Sequence, residues 1–203
     1  DMVDASIENM MDRLTYLGYY GSEIESVINV KKKNVTVAYN ITLGKRFPIK
    51  DIEIILPSEG TFADDFLADT SAMTVKVGDF LSEDILENET VRASASLRNM
   101  GYYEFSKNNF FFEADTLSCP DSAILKMTVN GYTRNETPDR TRTISRFTFN
   151  EVNISYPQTL KIREKILKEL TTIRPGETYS TDVVNNTYTR LSSLRMFSSV
   201  NIG

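Results

Sequence analysis

The chain alternates apolar and polar residues most regularly between residues 35 and 43. The apolar positions of this stretch are Val35, Val37, Tyr39, Ile41 and Leu43. A period of two is typical of a β-strand that has one covered face. A second apolar stretch runs from Ile24 to Val30, and polar residues 31–34 lie between the two. The pattern therefore predicts a β-hairpin with its turn at three consecutive lysines.

Apolar residues at steps of three and four predict helices in four other stretches. These stretches are residues 4–17, about 83–100, about 159–171 and about 180–194. Ser82 is expected to cap the second helix with its hydroxyl, and Glu83 and Asp84 place negative charge at its positive end. A shorter helix is expected at about 62–72.

Aromatic and β-branched residues predict further strands. These strands are residues 47–54, about 103–116, about 122–132 and 147–154, and another begins within 196–202. Residues 133–143 are polar and charged, and we interpret them as an interdomain connector or an exposed loop.

The end of the second predicted helix has counterparts elsewhere in the chain. A leucine, the helix-ending residue and an aromatic recur as Leu14–Gly18–Tyr20, Leu97–Gly101–Tyr103 and Leu191–Arg195–Phe197. Glycine at such a position takes a left-handed conformation without steric cost. Arg195 must either end its helix without a positive φ or carry about 1 kcal/mol of backbone strain. We interpret Gly18, Gly101, Tyr102 and Tyr103 as a structural corner that ends a helix and starts a strand.

The predicted strands and loops repeat in the same register. Phe47, Ile49, Ile52 and Ile54 have counterparts 100 residues later at Phe147, Phe149, Val152 and Ile154. Gly78 and Asp84 match Gly176 and Asp182 at the same six-residue spacing. A unit of about 90 residues is too long for a solenoid repeat and fits small domains in tandem.

Each unit has the predicted order β-α-α-β-β. We expect the C-terminal part of a first domain at 1–44, a complete second domain at 45–133, and a third domain at 143–203 that lacks its last strand. Because the chain opens on Asp1 directly before a helical pattern, we expect it to be a segment of a longer protein.

Composition excludes several classes of function. The chain is 40% hydrophobic and 25% charged with a net charge of −5, which is typical of a globular chain and gives no basic stripe for nucleic acid. No apolar run approaches the roughly 20 residues of a membrane-spanning helix. The absence of histidine removes imidazole bases and most zinc sites. A single cysteine, Cys119, cannot form an internal disulfide.

Adjacent carboxylates are the remaining candidates for acid–base chemistry. They occur at Asp64-Asp65 and Glu83-Asp84. Neighbouring residues of a helix point to different faces, so neither pair converges on one substrate atom. No phosphate-binding loop is present, because Gly78 and Gly176 are single glycines without the required lysine. We therefore expect a protein that is not an enzyme and has no cofactor or bound metal.

The corner and the segments before it resemble a known family. A helix ending in Gly-Tyr-Tyr, the β-α-α-β-β order, and the segments VGDFLSEDIL and PGETYS resemble POTRA domains. These are the periplasmic modules of the BamA/TamA superfamily of outer-membrane barrels. The segments YLGYYGSEIESVINVKKKNVTVAYNITLGKRFPIKDIEI and LRNMGYYEFSKNNFFFEADT are most similar to its TamA-like lipoprotein branch. The resemblance covers essentially the whole chain.

The resemblance implies an α+β fold of tandem POTRA domains, each with a three-stranded mixed sheet covered by two helices. It also implies a periplasmic location in a Gram-negative cell and a membrane β-barrel further along the parent chain. The expected partners are unfolded outer-membrane proteins or a periplasmic partner protein, which would pair with a sheet edge by β-augmentation.

The edge strands are expected at residues 23–30 and 104–114. The candidate binding residues are Glu104, Phe105, Lys107, Asn109 and Phe111. Alternation places Phe111 on the opposite face from Phe110 and Phe112, which would leave at least one large aromatic exposed. We favour the alternative, in which helices, the next strand or a neighbouring unit cover them all, because aromatic residues are usually buried.

Two other functions remain open. The domains could act as a spacer between a barrel and a periplasmic or inner-membrane partner. They could also belong to a POTRA-bearing secretion transporter or a cell-division scaffold.

Overall fold

A computed structural model of the chain describes residues 2–32, 34–57, 60–133, 141–142, 144–157, 162–197 and 199–202. Its helices are α1 (Met2–Tyr16), α2 (Thr61–Asp69), α3 (Glu83–Asn99), α4 (Glu164–Leu170) and α5 (Thr181–Ser193). Its strands are β1 (Glu23–Lys31), β2 (Asn34–Thr42), β3 (Ile49–Ile55), β4 (Phe110–Asp115), β5 (Ala123–Val129), β6 (Tyr132–Thr133) and β7 (Thr141–Arg142). None of the helices in these ranges is long and apolar enough to cross a membrane.

The chain divides into two compact units, and each unit takes three separate segments of sequence. The first unit comprises Asp1–Pro57, Ala72–Thr90 and Phe110–Asn130. The second comprises Ser58–Ser71, Val91–Asn109 and Gly131–Gly203.

The first unit contains a three-stranded mixed sheet. Its central strand, β5, runs parallel to β3 on one side and antiparallel to β4 on the other. Burial alternates along β5, because Ala123, Leu125, Met127 and Val129 are buried and the residues between them are half-buried. The predicted α+β class and the predicted mixed sheet are thus confirmed.

The core of the first unit lies on the buried face of β5. It comprises Ile49, Val75, Leu81, Ala123 and Leu125. Ile85 and Leu86, on the first turn of α3, pack against it. The start of α3 is set as predicted, because the Ser82 hydroxyl oxygen accepts a hydrogen bond from the Ile85 N–H at 3.4 Å.

A buried hydrogen-bonded pair ties α3 to the segment before it. The carboxylate of Glu89, only 2% exposed, accepts bonds from the N–H and hydroxyl of Thr74 at 2.7 and 2.6 Å. In the second unit the N–H of Thr172 bonds the Thr187 hydroxyl oxygen at 3.0 Å, and the two hydroxyls are 2.7 Å apart. Both members of this second pair lie 98 residues after their counterparts in the first.

The core of the second unit is aromatic. The ring of Phe62, on α2, lies 5.1 Å from that of Tyr102 and 5.6 Å from that of Phe105. Phe66 packs against Phe62 at 6.0 Å. Leu97, on the last turns of α3, is fully buried.

Two predicted strands differ from the structure. The strand predicted at about 103–116 begins only at Phe110, because the preceding residues form turns and a 3-10 turn at Lys107–Asn109. Residues 147–154 form no strand, and their backbone is bonded to a loop and to a helix end. In the first unit the equivalent strand β3 pairs with β5, and no described strand after residue 157 takes that role.

Other boundaries shift by a few residues or more. The helix predicted at 159–171 spans Glu164–Leu170, and residues 158–161 lie outside the described ranges. No strand begins in the described part of 196–202. The predicted connector is framed by β6 and β7, which pair with each other, and its residues 134–140 and 143 fall outside the description.

Candidate functional site

Strand β4 lies at an edge of the three-stranded sheet. Phe110 to Asp115 pair with Val129 to Ile124 of β5, and no other described strand pairs with β4. The rings of Phe110 and Phe112 are stacked at 6.3 Å, and both residues are half-buried. Phe111 points to the other face and is 54% exposed. Phe111 is therefore exposed in the described part of the chain, contrary to the favoured alternative in which every aromatic is covered.

The candidate binding residues are split between this strand and the turn before it. Only Phe111 lies on β4. Glu104 and Lys107 are exposed in the turn, and Phe105, 1% exposed, belongs to the aromatic core. Asn109 is buried, and its side-chain oxygen accepts a hydrogen bond from the Ser106 N–H at 3.0 Å. The structure therefore does not bring these five residues onto one strand edge.

The outer face of the sheet carries a row of charges. Glu113 of β4 and Glu53 of β3 both pair in register with Lys126, the residue between them on β5. The Lys126 ammonium lies 3.6 Å from the Glu113 carboxylate, and both side chains are substantially exposed. Asp51 and Asp115 flank Ile124 in the next row.

Strand β1 fits the edge predicted at residues 23–30. It pairs with β2, and within the described ranges neither strand has a further partner. Val30 opposes Val35 and Ile28 opposes Val37, so these apolar side chains share one face. Val30 is 67% and Val35 63% exposed.

The corner has the predicted backbone conformation. Gly18 and Gly101 have φ values of 83° and 106°, and the residue after each donates its N–H to a leucine carbonyl five residues earlier. This bond is the 6→1 bond of a Schellman cap. Arg195 also has a positive φ, 51°, so the third corner carries the strained conformation rather than avoiding it.

The two glycine corners pack against their surroundings in the same way. The guanidinium of Arg46 lies 4.9 Å from the ring of Tyr19, and that of Arg146 lies 5.9 Å from Tyr102. The next residues in each segment form ring pairs, Tyr20 with Phe47 at 5.8 Å and Tyr103 with Phe147 at 6.0 Å. Sequence reasoning missed both arginines, although each precedes a phenylalanine that had been aligned in the repeat.

Three backbone hydrogen bonds near each corner also recur. In the first unit they run from the N–H of Leu81 to Phe47, of Ile49 to Asp79 and of Gly78 to Ile49, at 2.8 Å each. In the second they run from Tyr179 to Phe147, Phe149 to Glu177 and Gly176 to Phe149, at 2.9, 2.9 and 2.7 Å. Both sets therefore tie a segment that follows a corner to the loop before a helix.

The second corner adds a charged cluster. The Asp65 carboxylate accepts hydrogen bonds from the Tyr102 hydroxyl at 2.5 Å and from the guanidinium of Arg146 at 3.0 and 2.5 Å. Desolvation opposes ionisation of Asp65, but these bonds and the arginine charge outweigh it and lower its pKa. Desolvation first, and then the bond to Asp65, raise the pKa of Tyr102 to about 12.

The second corner also caps α5. The side-chain oxygen of Asn99 accepts hydrogen bonds from the Asp182 N–H at 3.0 Å and from the Ser180 hydroxyl at 3.1 Å. Its amide group donates to the Asp182 carboxylate at 2.7 Å. Asn99 therefore satisfies an N–H of the first turn of α5 that the helix itself leaves unpaired.

The candidate functional groups described above lie on a surface and not in an enclosed pocket. In the ranges that the structure covers, no three His, Cys, Asp or Glu side chains lie close enough to hold a metal ion. A shallow, open depression beside α1 is lined by Asn9, Asp12, Arg13, Thr15, Tyr16 and Glu83. Ligand sites usually enclose most of a small molecule, which an open depression does not do.

No family model matches the sequence, and no curated protein matches it significantly. Solved structures do match. BamA POTRA3-5 of Haemophilus influenzae has a TM-score of 0.52 at 15% identity, covering 99% of this chain and 72% of that one. POTRA1-2 of the periplasmic domain of Omp85 from Anabaena has a TM-score of 0.41 at 10% identity over 73% and 78% of the two chains.

The N-terminal domain of Omp85 from Thermosynechococcus elongatus has a TM-score of 0.36 at 11% identity and covers 98% of this chain and 75% of that one. At these identities a structural likeness reports on the fold alone, and of these three matches only BamA POTRA3-5 has a TM-score above 0.5. The mixed sheet with β4 at its edge and the likeness to BamA POTRA3-5 show that this chain has the fold of POTRA domains.

Proposed function

We propose that the chain is a non-enzymatic periplasmic module that takes part in outer-membrane protein assembly by pairing extended client or partner segments with edge strand β4. The observation that carries the proposal is that β4 pairs with β5 on one side and with no other described strand on the other. An edge strand presents unpaired N–H and C=O groups, which can extend the sheet by one strand.

The proposal includes the architecture and parent that the sequence favours. The parent is a TamA-like outer-membrane barrel protein. The chain supplies the C-terminal part of a first domain at 1–44, a complete second domain at 45–133, and a third domain at 143–203 that lacks its last strand. The repeated corner and the backbone bonds near it support this division, because equivalent contacts recur at a near-constant spacing.

Main-chain pairing suits a protein that receives many different clients. The backbone groups of β4 are independent of side-chain identity, so affinity depends weakly on client sequence. The six residues of β4 extend over about 20 Å, enough for a short strand. Phe111 supplies an exposed apolar side chain that a client could cover.

The contribution of Phe111 to client binding can be estimated from its exposed area. A phenylalanine side chain can bury about 200 Å² of surface, so the exposed half corresponds to about 100 Å². At about 25 cal/mol per Å², covering it stabilises a complex by at most about 2.5 kcal/mol. Phe111→Ala should therefore weaken client binding by at most about 70-fold.

The test is an NMR titration of the labelled protein with an extended amphipathic peptide. We expect the amide signals of residues 110–115 to shift, and Phe111→Ala to weaken the binding. Leu117→Ala is the matched control, since Leu117 is 92% exposed but lies beyond the end of β4. Edge binding is wrong if the peptide binds without shifting the β4 amides, or if both variants weaken binding equally.

A structural spacer is the second candidate function. The same arginine–tyrosine and aromatic pairs recur at both corners, which favours a spacer, because a spacer needs the same contacts at each boundary between its proposed domains. Small-angle scattering tests this alternative. A single fixed elongated shape would support a spacer, and a broad ensemble would contradict it.

A further inference from the structure

We infer that edge strand β4 selects extended segments that carry basic residues on the outer face of the sheet. The inference rests on the proposed function, since it names the class of segment that the same edge accepts.

The register of the sheet defines what such a segment would meet. Side chains alternate along β4, so Phe111, Glu113 and Asp115 share the outer face. Phe112 and Ala114 lie on the opposite face, opposite Met127 and Leu125 of the buried side of β5. A strand added to this edge would continue both rows of side chains.

The outer rows carry an excess of negative charge. Glu53 and Glu113 flank the single ammonium of Lys126, so one of the two carboxylates is not neutralised within that row. Asp51 and Asp115 flank the apolar Ile124. The charge at Asp115 is held by hydrogen bonds from Ser118 and from the N–H of Leu117, which lower its pKa.

The Glu113–Lys126 pair leaves Glu113 able to accept a second partner. The two atoms are 3.6 Å apart and the side chains are 57% and 40% exposed, so the pair is weak. A lysine or arginine on an added strand would lie directly opposite Glu113 at about 5 Å between Cβ atoms.

The third outer row has a different character. Ile55, Thr128 and Phe111 oppose one another across β3, β5 and β4, and Phe111 ends the row at the free edge. An added strand would thus face an apolar side chain first and two carboxylates after it. The segment that fits has an apolar residue and two basic residues at alternate positions, with apolar residues between them toward the buried face.

The test compares two peptides that differ only at the two outer positions, with lysine in one and glutamate in the other. Cross-strand pairs of opposite charge are favourable and like charges are unfavourable, so the lysine peptide should bind about tenfold more tightly at low salt. High salt should reduce the ratio toward one, because both positions are exposed. Fluorescence anisotropy measures each dissociation constant.

A matched pair of variants locates the selection on β4. Glu113→Lys should abolish or reverse the preference for the lysine peptide. Glu53→Lys makes the same charge change beside the same lysine, but on β3, about 10 Å from β4. It should keep most of the preference. Both residues are exposed, so both variants should fold, which their NMR spectra would verify.

The possible outcomes are distinguishable. Equal binding of both peptides, or equal effects of Glu113→Lys and Glu53→Lys, would overturn charge selection and leave edge pairing intact. If neither peptide binds, the proposed function fails and the charge selection fails with it.

Discussion

Adding a side chain at a glycine can cost stability in two ways, through a left-handed backbone conformation or through overlap with a neighbouring atom. Three glycines of the first unit differ in which of these costs applies. Gly18 has a φ of 83°, and a Cβ there would lie 2.1 Å from the carbonyl oxygen of Leu81. Gly21 has a φ of 73°, but nothing lies within 4 Å of its Cβ position. Gly44 has no positive φ, yet its Cβ would lie 2.1 Å from the carbonyl oxygen of Tyr20.

The magnitudes follow from these geometries. A left-handed conformation costs a residue with a Cβ about 1 kcal/mol or somewhat more. An overlap with a backbone oxygen forces the backbone to move, and such overpacking costs about 1 to 3 kcal/mol. Gly21→Ala should therefore lower the free energy of unfolding by about 1 kcal/mol. Gly18→Ala should lower it by about 2 to 5 kcal/mol, since both costs apply.

Urea denaturation measures the three alanine variants against the unmodified chain. We expect Gly18→Ala to be the least stable and Gly44→Ala to lie between the other two. The reasoning is refuted if Gly18→Ala and Gly21→Ala lose the same stability, because the close approach to Leu81 would then have no energetic weight. Circular dichroism before denaturation checks that each variant is folded.

Three further predictions test the charged cluster and the burial pattern. Because the pKa of Asp65 is lowered on folding, its contribution to the free energy of unfolding is present above about pH 4 and is lost as the pH falls below that. Asp65→Asn should lower the free energy of unfolding by about 1 kcal/mol at pH 7 and should flatten the acid side of a curve of stability against pH. Because the pKa of Tyr102 is raised to about 12, its contribution is present below pH 10 and is lost as the pH rises toward 12. Tyr102→Phe should remove a late step from an ultraviolet tyrosine titration, and an unchanged titration would contradict the raised pKa of Tyr102. Val129 is 1% exposed, so Val129→Thr should lower the free energy of unfolding by about 1 to 3 kcal/mol in the same urea assay. Val30→Thr is the control: Val30 is 67% exposed, so this variant should change the free energy of unfolding by less than about 0.5 kcal/mol.

Sequence patterning identified the elements that have a regular hydrophobic period. The alternation at 35–43 became β2, and the steps of three and four before Gly101 became α3. Helix α3 was predictable because its apolar residues pack against a core, so that local sequence and burial demand the same conformation. The covered face predicted for β2 is wrong, since Val35 and Ile41 are 63% and 47% exposed. The positive φ of Gly101 was also predictable, since glycine takes this conformation more readily than other residues.

The failures occurred where conformation depends on a distant partner. Residues 147–154 carry the strand-like pattern of β3, but a strand requires a neighbouring strand to pair with. The N–H groups of Phe147 and Phe149 bond instead to the carbonyl oxygens of Gly101 and Glu177. At 104–109 the aromatic Phe105 suggested a strand, but the Asn109 side chain bonds the Ser106 backbone and stabilises a turn.

The candidate site also has features that could be predicted from the sequence and features that could not. The position of Phe111 on the face opposite Phe110 and Phe112 could be predicted from alternation, but its exposure could not, because alternation does not say which face is covered. The stacking of Arg46 and Arg146 on corner tyrosines could not be predicted from periodicity, which carries no information on cation–π contacts. The repeat held the only signal, an arginine before each of two aligned phenylalanines.

Helix α3 passes from one compact unit into the other, since Glu83 to Thr90 belong to the first and Val91 to Asn99 to the second. No single cut of the chain can therefore release either unit whole. During synthesis, the first unit is incomplete until Asn130 has been made, by which time two of the three segments of the second already exist. At that point the second unit still lacks Gly131–Gly203, so the first unit can fold before the second is complete, while Ser58–Ser71 and Val91–Asn109 wait for their last segment.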